Sequence, residues 1–217
     1  MARMPETNKA TLKRQLTAEV MGALVQCPDL RVVKVADGAP DNWSYLGETL
    51  PFGIEVLDFY HATEPLGAAL GAAYGEGTPA YQERLETLRT VLRDDPQGVD
   101  KVIGALERLR TRYPRRQAIH KALAYFREHR HRMPYAHLRG QHLPIGSGVV
   151  EAACKTLVSQ RLKRSGMRWR HTGGQAILTF RALCQSERFE RAWPLLVRRY
   201  QRDMRVPQKV IALSERR

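Results

Sequence analysis

Leu30-Arg31-Val32-Val33-Lys34-Val35-Ala36-Asp37-Gly38-Ala39-Pro40 is a short β-branched run closed by turn residues. Apolar β-branched residues bounded by Asp-Gly and Pro predict a strand ending at Asp37. Upstream, Leu12, Leu16, Val20 and Leu24 recur at helical spacing, and Cys27-Pro28-Asp29 stops the period. Downstream, residues 42–50 fit a short helix, and Gly53-Ile54-Glu55-Val56-Leu57-Asp58-Phe59-Tyr60-His61 reads as a second strand running into a helix. The order helix, strand, helix, strand predicts a parallel α/β sheet, in which functional groups gather at the carboxyl ends of strands. Asp37 and Asp58 both fall there.

From about Thr63 to Arg139 the periodicity is helical only, with four amphipathic segments separated by Gly75-Glu76-Gly77-Thr78-Pro79, Asp94-Asp95-Pro96-Gln97-Gly98 and Tyr113-Pro114. The expected class is therefore α/β, mainly α. A partial α/β core over 1–61 carries a helical insertion over 62–142. The core returns over 143–205 with basic helices, and 206–217 forms a basic tail.

Composition narrows the partners. The 217 residues hold 36 Lys and Arg against 22 Asp and Glu, a net charge of +14, which favours a polyanion such as nucleic acid over a membrane surface. No apolar run is long enough to span a bilayer and no secretory signal opens the chain, so a cytoplasmic location is expected. Cys27, Cys154 and Cys184 lack zinc-site spacing and are expected to be reduced core thiols.

Leu143-Pro144-Ile145-Gly146-Ser147-Gly148-Val149-Val150-Glu151-Ala152-Ala153-Cys154-Lys155 sets one carboxylate on the opening turn of a helix, and no acid follows until Glu187. Between them lie Lys155, Arg161, Lys163, Arg164, Arg168, Arg170 and Arg181. A solvated face would normally intersperse Glu with such bases, so phosphate contact is expected of Lys155, Arg161, Lys163, Arg164, Arg168 and Arg170. Trp169 either stacks on an unpaired base or packs on the core, and the core is the expectation. Arg127, Arg130 and Arg132 form a second basic cluster, whose neighbours His129 and His131 are not read as ligands. Arg198, Arg199, Arg202 and Arg205 would add backbone contacts. Hard cations such as Mg²⁺ take carboxylate oxygens, which makes Asp37 and Glu151 candidate ligands for metal-assisted phosphoryl transfer. Asp before Gly also serves as a turn residue, and Glu in a first helical turn also complements the helix dipole.

Four stretches in order, 37–43 (DGAPDNW), 58–62 (DFYHA), 144–155 and 160–169 (QRLKRSGMRW), resemble the C-terminal half of a Kra-type bacterial insertion-sequence transposase, a group related to the Mutator-like DDE transposases. The resemblance covers nearly the whole chain. It implies an RNase H-like core with a helical insertion, a triad binding two Mg²⁺ ions, and strand cleavage and transfer on double-stranded transposon ends. By the same resemblance Asp37 corresponds to the second catalytic aspartate and Glu151 to the catalytic glutamate. Asp58 and His61 match a D-x-x-H signature that organises the site, although His61 could equally be a structural hydrogen-bond partner of Asp58. The family's first aspartate lies on an earlier strand, so the expectation is an N-terminally truncated, catalytically incomplete transposase. The alternative is a non-catalytic DNA-end-binding fragment that occupies DNA ends, or pairs with an intact transposase, and so inhibits it. A homo-oligomer is compatible with both. A general helical RNA-binding protein would leave Asp37 and Glu151 without a role.

Overall fold

The computed structural model describes residues 9–163 and 165–203, so Arg164, Arg205 and the 206–217 tail lie outside the described residues. Helix α1 (Ala10–Gln26) leads into strand β1 (Val33–Ala36), helix α2 (Pro40–Thr49) and strand β2 (Ile54–Leu57). The two strands pair in parallel, in register from Val33 with Ile54 to Ala36 with Leu57. A parallel pair needs a crossover, and α2 supplies it. Pro40 opens α2 with a φ already suited to a helix, and Asp41 sits in its positive first turn. Strand β2 stops at Leu57 and runs into the next helix as expected, because Asp58 caps that helix.

That helix, α3 (Phe59–Tyr74), is followed by α4 (Pro79–Asp94), α5 (Gly98–Arg112), α6 (Gln117–Glu128), a 3₁₀ turn at Arg130–Arg132 and α7 (Tyr135–Gly140). Thr78 caps α4 through its side-chain oxygen. The helices do not pack apart from the sheet. Val56 and Leu57 share one continuous core with Leu66 and Leu70 of α3, Leu106 of α5, Ile119 and Phe126 of α6, and Tyr135 and Leu138 of α7. Tyr135 Oη donates to Leu57 O at 2.8 Å, tying the last of these helices to the strand. Each such Leu or Phe removed from water contributes roughly 1.5–3 kcal/mol. The described residues divide into one compact unit from Lys13 to Val150 and another made of those up to Leu12 with those from Glu151 onward.

Charges expected on the surface are partly structural. Arg127 bonds Glu107 at 2.5 Å and Arg130 bonds Asp100 at 2.7 Å. Arg132 donates to Glu55 at 2.8 Å and lies 4.1 Å from the Trp43 ring centroid. The same Glu55 receives Lys34, which is buried in β1 and also donates to Leu50 O. Burial raises the Glu55 carboxyl, but Arg132 and Lys34 outweigh it and hold it below its ordinary range. The second basic cluster is therefore neutralised by acids from other elements rather than presented to phosphate.

In the other unit, α8 (Gly148–Cys154), which begins just before it, runs into a π-helical turn at Lys155–Ser159 and the single turn α9 (Gln160–Leu162), before α10 (His171–Gln185) and α11 (Phe189–Asp203). Arg181 Nη2 donates to Thr156 O at 2.7 Å, which stitches α10 to the π turn. Only Gly174 and Leu178 are buried among this unit's described residues. All three cysteines are exposed, contrary to the expected core thiols. Cys154 and Cys184 sit in a unit with almost no interior, and Cys27 lies just beyond α1, itself without a buried residue. No helix among the described residues is long and apolar enough to cross a membrane.

Candidate functional site

Asp37 and Asp58 each follow the last paired residue of their strand, and Asp58 N–H donates to Ala36 O at 2.8 Å. Neighbouring strands lie about 4.8 Å apart, so the two aspartates leave the carboxyl edge of the sheet side by side. Half-buried Asp37 accepts Ala39 N–H at 3.0 Å and Asn42 Nδ2 at 2.8 Å, both on Oδ1. That is the turn-forming role open to an Asp before Gly, and it seeds α2. Its Oδ2 takes no hydrogen bond among the described residues.

Asp58 is 1% exposed. Oδ1 accepts Tyr60 N–H at 2.8 Å and His61 N–H at 3.1 Å, capping α3, while Oδ2 accepts Ser147 N–H at 2.5 Å. Phe59 N–H donates to Ile145 O at 2.9 Å beside it. At Gly146 a Cβ would stand 3.3 Å from two Tyr60 ring carbons, so the loop lies against that ring. Burial pushes the Asp58 carboxyl up, but donation from the Ser147 side chain and from the His61, Ser147 and Tyr60 backbone more than offsets it, leaving the group below its ordinary value and ionised. The front of the Glu151 motif is thereby bonded to the D-x-x-H motif across a long stretch of sequence. His61 contributes to Asp58 through its main-chain N–H, and its ring Nδ1 lies 3.4 Å from Glu64 Oε1.

A residue missed in the sequence completes this edge. Tyr125 of α6 places Oη so close to Gly38 that a Cβ there would stand 2.6 Å from it. Its ring packs edge-on against His129 at 4.6 Å between centroids. Burial, then the charges of Asp37, Glu64, Asp58 and Glu128, pushes the phenol up to about 12, so it stays a hydrogen-bond donor at neutral pH. Only the shared core of helices and sheet brings α6 here, and no local pattern around Tyr125 signals it.

Glu151 lies in the first turn of α8, four residues after Ser147, and belongs to the other compact unit. Among the described residues no group of three or more His, Cys, Asp or Glu is gathered to hold a metal ion. Asp37 Oδ2 suits a hard cation, whereas both Asp58 oxygens are committed to N–H donors.

The basic face stands differently from the neutralised cluster. Lys155, Arg161, Lys163, Arg168 and Arg170 are exposed and make no ion pair among the described residues. Trp169 beside them is 36% exposed rather than a core ring. The segment before α10 turns at Gly166 with φ 78°, and among its unit's described residues only Gly174 and Leu178 are buried. Arg198 and Arg199 are also exposed on α11. Comparison with protein-family models, with curated proteins and with solved structures finds no match.

Proposed function

We propose that this chain is a DNA-binding protein of the DDE transposase type, built on an RNase H-like core, whose reaction is Mg²⁺-assisted cleavage and transfer of phosphodiesters at transposon ends. One observation carries the proposal. Asp37 stands at the carboxyl edge of a parallel sheet, and the adjacent Asp58 holds the loop that leads directly into the Glu151 helix. Asp37 and Glu151 would supply oxygen ligands, and Mg²⁺, when bound, would stabilise charge developing on the phosphate. Asp58 acts as a fixed anchor, with His61 giving it a main-chain hydrogen bond. Lys155, Arg161, Lys163, Arg164, Arg168 and Arg170 would contact the nucleic-acid backbone, with Trp169 available for base stacking. Between 151 and 203 there are twelve Lys and Arg against four Asp and Glu, which favours a polyanionic partner for that unit. Assembly as a homo-oligomer or with an intact transposase fits the same chemistry.

Calorimetric titration of Mn²⁺ or Mg²⁺ into the full chain bound to a duplex tests the proposal. Saturable cation binding that weakens at least 10-fold in both Asp37→Asn and Glu151→Gln is expected. Binding indifferent to both substitutions would overturn the metal assignment. A second reading, DNA binding without chemistry, is favoured by the described residues gathering no group of three or more His, Cys, Asp or Glu around a cation. It predicts salt-sensitive duplex binding with no cation dependence.

A further inference from the structure

We infer that Tyr125 is a substrate-contacting residue, its hydroxyl donating a hydrogen bond to a non-bridging oxygen of a nucleic-acid phosphodiester seated at the carboxyl edge of the β1–β2 sheet. The inference rests on the phosphodiester function proposed above and adds a donor that neither the motifs nor the resemblance supplied.

Three observations point the same way. First, Tyr125 is fixed: its ring lies edge-on to His129 at 4.6 Å and to Phe126 at 6.3 Å, and α6 is held against α3 by the common core. Second, the hydroxyl is delivered to the strand end through a gap that only glycine leaves. A Cβ at Gly38 would meet Oη at 2.6 Å and the ring carbon Cε2 at 2.8 Å, so the Asp37-Gly38 turn and the phenol are fitted to each other. Third, Tyr125 Oη makes no hydrogen bond among the described residues, whereas the more deeply buried Tyr135 gives its hydroxyl to Leu57 O at 2.8 Å. A half-buried phenol placed beside a turn and left without a protein acceptor has its donor available to a ligand.

The chemistry of that ligand follows from the neighbours. A bare anion would be repelled by Asp37 and Asp58, so a phosphate settles there only with a cation between, and a neutral donor adds attraction without competing for that cation. Tyr125 therefore matters to nucleic acid in the presence of Mg²⁺ and not to the cation alone.

The test is duplex affinity of the full chain measured with Mg²⁺ and with EDTA, beside Mn²⁺ binding without DNA. Tyr125→Phe keeps the ring contacts and removes only the hydroxyl. Its affinity is expected to fall about 3- to 10-fold in Mg²⁺, the loss of one hydrogen bond, with no change in EDTA and unchanged Mn²⁺ binding. Gly38→Ala, which displaces the phenol, should reproduce that pattern, and it stands as the test if Tyr125→Phe fails to fold. Unchanged affinity in Mg²⁺, or an equal loss in Mg²⁺ and EDTA, would overturn the role of Tyr125. Asp37→Asn separates the two claims: loss of cation binding there with no effect of Tyr125→Phe leaves the metal proposal standing alone, and no effect of Asp37→Asn removes the metal proposal itself.

Discussion

Replacing Asp58 tests the junction on which the candidate site is built. In Asp58→Ala the cap of α3 and the tether to Ser147 are lost together. Loss of an aspartate cap costs about 1 kcal/mol, and loss of a hydrogen bond to a charged, buried acceptor about 1.5–3 kcal/mol. Because one carboxylate serves both, the losses are not additive, and about 3 kcal/mol is expected. Asp58→Asn separates them. Asparagine caps a helix about as well as aspartate, so Oδ1 keeps its role, but an amide NH₂ then faces Ser147 N–H, two donors at 2.5 Å in the native geometry. The expected loss is about 1–3 kcal/mol, concentrated at the loop. Urea unfolding followed by circular dichroism gives the totals, and amide exchange at Tyr60, His61 and Ser147 gives the distribution. The acid limb supplies the sign. The Asp58 carboxyl is depressed in the folded chain, so its contribution is present above the ordinary aspartate pKa, near 3.9, and disappears as pH falls through the lower folded value. The stability gap between wild type and Asp58→Asn should accordingly close below about pH 4. A gap unchanged between pH 7 and pH 3, or Ser147 exchange unaltered in Asp58→Asn, would refute the assignment of this carboxylate as the anchor of the loop.

Removing Glu55 strands the buried Lys34 ammonium and frees Arg132, so Glu55→Gln should destabilise by about 3 kcal/mol or more, whereas a Lys34→Met, Glu55→Gln pair recovers part of it in denaturant titrations. At Gly98 a Cβ would meet Val91 O at 2.3 Å and Leu92 Cα at 3.0 Å; Gly98→Ala should therefore lower stability by about 1–3 kcal/mol despite its better helix propensity, and a raised unfolding midpoint would contradict that packing. All three thiols should react with a bulky disulfide reagent in the native chain, and a protected fraction would count against their exposure. Duplex affinity should fall with salt, and the log–log slope should flatten by about 1 for each of Arg161→Ala and Arg168→Ala; identical slopes would exclude both from phosphate contact.

The strands, their parallel order and the position of Asp37 and Asp58 at their ends were legible because β-branched runs followed by Asp-Gly or by a capping Asp carry local signals. Helices α3 to α6 were legible from periodicity, while α7 was too short to register. The fate of the arginines was not. Arg132 and Arg168 look alike in the sequence, but Glu55, lying far upstream, neutralises one and no acid among the described residues reaches the other. Tyr125 was invisible for the same reason, since its meaning comes from the shared core that brings α6 to Gly38. The exposure of Trp169 has no sequence signal, since a ring of that size ordinarily packs on a core, and among its unit's described residues only Gly174 and Leu178 are buried.

The hydrogen bonds from Phe59 to Ile145 and from Ser147 to Asp58 fasten the departure and arrival of the intervening helices to a single spot, like the clasp of a necklace. Lengthening or trimming a connection within that circuit, such as the turn at Gly75–Thr78, leaves the clasp where it is. Variation in the size of the excursion is therefore permissible in this architecture, whereas displacement of either end of the clasp is not.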